Sequence, residues 1–286
     1  VIFLFIAPAF LVFSIYILYP ILATLYYSFH DWKGGSSKTY IGLANYTRLL
    51  TDAVFWTGLW NNLKVVLSSV LLQIPLGLTM GLLLMSAIKG KRLFQTVYFM
   101  PFLMSTVAIG LLWLFLYDPL NGSINQFIGW FGMENIAWLS EESTAMGSVL
   151  AVIVWQYAPF YMVLFKAALV GISEDLYEAA QMDGANAWQR FYGITLPLLM
   201  PTIVTSSILA IVGSLKSFDL FYTMTGGGPN SSTELMGTYM YKLAFVHFNM
   251  GYASTVAFVM FLVAFVVVVL IQLLEFWRKK EGNSHA

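Results

Sequence analysis

Polar and charged side chains are scarce in this chain, and where they cluster they limit the chemistry it can perform. The stretch Glu178-Ala179-Ala180-Gln181-Met182-Asp183-Gly184-Ala185 is polar and helix-forming inside an otherwise apolar sequence. Glu178 offers a carboxylate for charge-assisted hydrogen bonds or for pairing with an arginine on a partner surface. Ala179 and Ala180 permit close approach, and Gly184 lets the chain turn. A second set lies inside apolar stretches: Trp155, Gln156, Tyr157 and Phe160, then Ser214, Lys216, Ser217 and Asp219. Rings mixed with hydroxyl and amide groups suit a solute rich in hydroxyls. Gln156, Tyr157, Phe160, Ser214 and Ser217 are therefore candidates for lining a solute path, although a buried Ser or Gln equally serves to bond a neighbouring helix. Lys216 and Asp219 stand one helical turn apart and read more simply as a pair.

Other chemistries find no footing. The chain has no cysteine and three histidines, His30, His247 and His285, scattered over an outer edge, an outer loop and the tail. They form no metal cluster and read as satisfied or solvated side chains. No Gly-x-x-x-x-Gly-Lys-Ser/Thr occurs, so the chain lacks a loop to cradle the phosphates of ATP. The formal net charge is zero, with 14 basic and 14 acidic residues, so no basic field argues for nucleic acid.

The elements that must position these groups are membrane spans. Of 286 residues 59% are hydrophobic and 10% charged, where soluble domains carry about a quarter charged residues. A spanning helix needs roughly 20 mainly apolar residues. Six stretches qualify: about 2–29, 62–88, 93–117, 146–170, 195–222 and 251–277. The expected fold is all-α, one polytopic domain over 1–286. Aromatic residues crowd the span ends, as with Tyr26, Tyr27, Phe29 and Trp32, Trp113 and Tyr117, and Phe276 and Trp277. Lys89, Lys91 and Arg92 fill the turn between spans two and three, and Arg278, Lys279 and Lys280 follow span six, so both places are expected to be cytoplasmic. That orientation puts both termini and the Glu178 loop inside the cell. The start at Val1 suggests that a short basic leader precedes this sequence, and the first apolar stretch lacks the pattern of a cleavable signal.

Turn chemistry marks the outer segments, from Asp31 to about Asn61, at Asp118-Pro119-Leu120-Asn121-Gly122, and at Thr225-Gly226-Gly227-Gly228-Pro229-Asn230, which is expected to end span five. Pro8, Pro20, Pro75, Pro101, Pro159, Pro197 and Pro201 punctuate the spans and read first as kinks. Gly77 and Gly81 have the small-xxx-small spacing that allows close helix contact. Between about 171 and 194, Ser173 is a good N-cap, Glu174 and Asp175 complement a helix dipole, and Gly184 offers a C-cap before a second helix begins near Ala185 and leads to Pro197.

Glu178-Ala179-Ala180, three residues, Gly184, nine residues, then Ile194-x-Leu196-Pro197 resembles the signature loop of the membrane subunits of binding-protein-dependent ABC importers. Tyr19-Pro20, Gly42-Leu43-Ala44-Asn45-Tyr46, Pro101 with Gly110-Leu111-Leu112-Trp113, the Gly226 to Pro229 run, and Gly251-Tyr252-Ala253-Ser254 extend the likeness over essentially the whole chain. They are similar to carbohydrate-type permeases, the maltose and glycerol-phosphate kind. The resemblance implies a type I importer permease with a cytoplasmic coupling helix, in which Glu178, Ala179, Ala180, Asp183 and Gly184 dock on an ATPase subunit. It also implies a second homologous permease in a heterodimer, two ATPase subunits that bind ATP and Mg, an extracytoplasmic solute-binding protein near Gly226, Gly227, Gly228 and Pro229, and a sugar or oligosaccharide as substrate. The chain itself would hold no cofactor and catalyse no reaction, in the cytoplasmic membrane of a bacterium or archaeon. Import of glycerol phosphate or another small polar solute is the nearest alternative. An ion-coupled secondary transporter is the more distant one, and only Lys216 and Asp219 approach its need for ionisable groups at the midplane.

Overall fold

Three of the span prolines share one local solution. A proline cannot donate to the carbonyl four residues back, and its ring collides with that carbonyl. In the computed structural model the residue before each donates five back instead: Tyr19 to Ser14, Ile74 to Ser69, and Leu196 to Phe191. Single π turns at Ser14–Leu18, Ser69–Gln73 and Phe191–Thr195 thus open the helix ahead of Pro20, Pro75 and Pro197. Each of these prolines is thus preceded by a widened turn.

The structure describes residues 2–86 and 89–284, and the side chains of 5–86 and 89–273 within them. Ala87 and Ile88 at the predicted end of span two lie outside the described residues. So do His285 and the side chains of Phe276 to Lys280. Among the described residues five helices are long and apolar enough to cross a membrane: Phe5–Ser28, Ala53–Met85, Glu142–Val170, Ala187–Leu215 and Met250–Leu273. The expected third span is broken into Lys91–Leu103 and Thr106–Leu116, bent by 99°. Met104 and Ser105 take extended ψ values of 152° and 130° there, just after Pro101 has removed one backbone donor.

Other boundaries move for identifiable reasons. Span two starts at Ala53 because Asp52 accepts from the amides of Val54 and Phe55, at 3.0 and 3.2 Å, and so caps the helix. The fifth span stops at Leu215, short of the expected 222, with Lys216 as its cap, and a separate helix runs over Asp219–Met224. Asn62 Nδ2 donates to the carbonyls of Ser214 and Leu215, supplying part of what a helix C-terminus lacks. Lys216 and Asp219 therefore do not share a helical turn, and no ion pair joins them.

The chain divides into two compact units, one of 1–61 with 234–286 and the other of 62–233. In the second, Glu142–Val170 is central, with 61% of its most apolar window buried. Gly77 faces it so closely that a Cβ there would stand 2.5 Å from Tyr161 Cβ, and one at Gly81 would stand 3.3 Å from Phe165 Cβ. The small-residue spacing is thus a true close approach, and Ile74, Tyr161, Phe165, Leu169, Leu199 and Ala210 form the core beside it.

In the first unit, the segment after the first span pairs His30–Trp32 with Lys38–Tyr40 as a short antiparallel hairpin. Asn45 Nδ2 donates to the carbonyls of Ser28 and His30, and Tyr46 shares a 2.6 Å hydrogen bond with Ser28. These links tie the end of the span to the helix Ala44–Leu50. Gly251 packs against the carbonyl of His30 with no room for a Cβ. His30 is itself satisfied, its Nδ1 lying 2.8 Å from the Tyr26 carbonyl, while His247 is exposed.

Candidate functional site

The loop predicted at about 171–194 forms a tightly specified helical corner. Ser173 caps Glu174–Met182 by accepting from the amide of Asp175. At the other end Asp183 is the cap and Gly184 takes φ +81°, a left-handed conformation natural to glycine. The amide of Ala185 donates to Ala180 at 2.9 Å and that of Gly184 to Gln181 at 3.0 Å, the paired bonds of a Schellman motif. Asn186 then opens the next helix with a reciprocal capping box to Gln189, at 2.9 and 2.8 Å, so that helix begins at Ala187, later than expected. Tyr177 and Thr195 share a 2.9 Å hydrogen bond that fastens the corner to the span. Glu178, Ala179, Asp183 and Gly184 are exposed and Ala180 is half-buried. Glu178 makes no hydrogen bond among the described residues, and Met182 is 87% exposed. The local bonds hold the corner's shape, and its outer face is left free to meet another surface.

A polar cavity of about 180 Å³ lies in the second unit. Of the predicted path residues, Tyr157, Ser214 and Ser217 line it, joined by Lys216 and Asp219. Gln156 and Phe160 do not. Gln156 is buried with an unpartnered Oε1, and Phe160 packs on the core and stacks on Phe102 at 5.2 Å. The side chain of Gln156 leaves the helix about 100° away from that of Tyr157, whereas Phe160, one turn on, shares the Phe102 ring with Tyr157 but lies beyond the cavity.

Sequence reasoning missed Ser69, Gln73, Thr106 and Tyr161, which complete the polar lining. Ser69 Oγ accepts from Gln73 Nε2 at 3.0 Å and from Ser214 Oγ at 2.8 Å, so one hydroxyl joins two spans at the cavity wall. The available signal was Pro75, since the π turn it enforces carries both Ser69 and Gln73.

Gly226 and Gly227 have φ +58° and +88° and terminate the short helix Asp219–Met224. Thr233 Oγ1 donates to the Gly228 carbonyl at 2.7 Å, and its amide donates to Gly227 at 3.3 Å, closing the loop around Pro229. The loop is a defined shape, as the glycine run suggested.

The chain as a whole is similar to known proteins. Residues 73–280 match the family model described as the binding-protein-dependent transport system inner membrane component. A probable ABC transporter permease of Pyrococcus horikoshii is 34% identical over 93% of this chain and 92% of its own length. A probable starch degradation products transport system permease of Thermoanaerobacterium thermosulfurigenes is 32% identical over 93% and 91%. The fold matches a bacterial alginate ABC transporter, solved in complex with an alginate pentasaccharide-bound periplasmic protein. The TM-score is 0.84 at 22% identity, over 94% of this chain and 92% of that one. The chain thus belongs to the family of binding-protein-dependent transport system inner membrane components.

Proposed function

We propose that the chain is one of two membrane subunits of an ATP-driven importer of a sugar or oligosaccharide. The observation that carries this reading is the corner at 173–190, rigid through its own caps yet presenting Glu178 and Met182 outward in a chain of this family. Glu178, Ala179, Ala180, Asp183 and Gly184 form the face that meets an ATPase subunit. Two such subunits, carrying ATP and Mg, close together and draw two corners together, one from this chain and one from a second, homologous permease. The spans then exchange inward-facing and outward-facing arrangements. Coupling requires that ATP and the loaded receptor favour the same arrangement, since a ligand shifts an equilibrium only through differential affinity.

The solute follows the cavity walled by Tyr157, Ser214 and Ser217, with Ser69 and Gln73 as further partners. Hydroxyls, an amide and rings suit a polyol, and Lys216 is matched by Asp219 on the same wall, which disfavours a phosphorylated solute. The relative named for starch degradation products supports the sugar assignment. The loop at Gly226, Gly227, Gly228 and Pro229 faces an extracytoplasmic receptor. Lys89, Lys91 and Arg92 face the cytoplasm with both termini, in the cell membrane of a bacterium or archaeon.

The test compares wild type with Gly184→Asp in cells expressing the neighbouring genes. A Cβ at Gly184 meets nothing within 4 Å, but a residue other than glycine must hold φ +81° there, so the variant strains the cap of the corner itself and puts a charge on its outer face. The wild type is expected to retain an ATPase and a second permease after detergent extraction, and the variant to keep the permease and lose the ATPase. Uptake that survives ATP depletion but stops when the ion gradients collapse would overturn the reading.

A further inference from the structure

An apolar groove of about 240 Å³ opens between three helices of the second unit. Met80, Leu83 and Leu84 come from Ala53–Met85, Phe94 and Tyr98 from Lys91–Leu103, and Met162 from Glu142–Val170. Leu84 and Met162 are buried, whereas Leu83, Phe94 and Tyr98 are about half exposed, so the groove runs from the apolar surface into the core. Its volume is below the roughly 300–1,000 Å³ of sites for whole small molecules, which suits a segment of chain.

The rim has one charge sign. Lys91 is the one charged lining residue among the described residues, and exposed Lys89 and Arg92 flank it. Among the described residues the Lys91 ammonium reaches the Ser86 carbonyl alone, at 3.4 Å, which leaves donors over. The 13-residue helix that begins at Lys91 has Gly90 as its cap and no side-chain cap, so its first amides also point to an acceptor. We propose that this groove is a phospholipid site: one acyl chain fills it, and an anionic headgroup phosphate sits on Lys91, Arg92 and the start of that helix. The proposal rests on the membrane placement of the chain, and it adds a ligand that transport itself does not require.

The intact transporter, extracted with its partner subunits, is measured by native mass spectrometry in mixed phosphatidylglycerol and phosphatidylcholine. Preferential retention of one phosphatidylglycerol at this chain is expected. Lys91→Ala and Arg92→Ala are each expected to weaken it about fivefold, and the double variant about 25-fold. Leu83→Trp, which fills the groove and leaves the charges, is expected to remove the lipid, an outcome that a site for a free anion would not show. Equal retention of phosphatidylcholine, or retention unchanged in the double variant, overturns the proposal. The charge variants lie on the exposed surface and decide the matter even if Leu83→Trp fails to assemble. Lipid retention is read without transport, so its failure is separable from failure of the importer reading.

Discussion

Tyr252 donates a 2.5 Å hydrogen bond to Oδ2 of Asp52, 200 residues earlier in the chain. Tyr239 donates to the same oxygen at 2.6 Å, while Oδ1 takes the amides of Val54 and Phe55. The guanidinium of Arg48 lies 4.1 Å from the centre of the Tyr252 ring. One carboxylate therefore starts a spanning helix and ties it to two later helices of the same unit.

Burial alone would raise the Asp52 pKa, but the bonds from Tyr239, Tyr252 and the Phe55 and Val54 amides outweigh it and hold the group below its ordinary value of 3.8. Its own burial, then the Asp52 carboxylate beside it, push the Tyr239 hydroxyl upward. The sign follows from linkage: Asp52 stabilises the fold fully above its unfolded pKa, and the contribution is lost as pH falls through the lower folded value. Asp52→Asn is expected to lower thermal stability at neutral pH and to flatten its decline in acid, measured as melting temperature against pH in detergent.

Tyr252→Phe removes one donor to a charged acceptor and is expected to cost about 1.5–3 kcal/mol. Tyr252 is fully buried, so no water replaces the lost bond. Unfolding of the purified protein in denaturant measures the change, and a loss near zero would mean that the other donors suffice.

Gly77→Ala places a methyl group 2.5 Å from Tyr161 Cβ and 2.9 Å from the Met162 amide. Backbone and Cβ atoms cannot step aside, so a cost of about 1–3 kcal/mol is expected, outweighing the better helix propensity of alanine. Gly147→Ala, in open space on the central helix, is the control and is expected to be neutral or stabilising.

Glu178→Ala is expected to leave melting temperature unchanged, because the side chain has no partner within the described residues. Affinity for the ATPase subunit should fall by about 10- to 150-fold, the range for losing a hydrogen bond to a charged group. Pull-down against rising ATPase concentration reads this directly.

Ser217→Leu is expected to abolish solute uptake with subunit assembly intact, since Ser217 is half-buried on the cavity wall. Phe160→Leu, set in the core away from that wall, should alter stability more than uptake. The reverse pattern would move the solute path one helical turn along, toward Phe160 and Phe102.

Local chemistry made much of this chain legible. A span announces itself through a run of apolar residues, because the bilayer demands about 20 of them in series. The corner at 173–190 was also readable in part, since Ser173 and Gly184 act on amides and carbonyls within a few positions of themselves, whereas the cap at Asn186 was not foreseen. The contact at Gly77 and Gly81 was visible as spacing, though not its partner, Tyr161 and Phe165. The spans and the corner were legible because their causes lie within one or two helical turns, although the π turns before Pro20, Pro75 and Pro197 and the Asp52 cap, equally local, were not foreseen. Tertiary structure decided the rest. The break at Met104 and Ser105 lies in an apolar stretch that hydropathy reads as continuous, because hydropathy measures partition and is blind to backbone direction. Ser69 meets Ser214 across 145 positions, and Tyr157 faces their cavity while adjacent Gln156 does not. Which face of an almost uniformly apolar helix turns inward depends on its neighbours, because polarity around its circumference carries too little contrast to orient it.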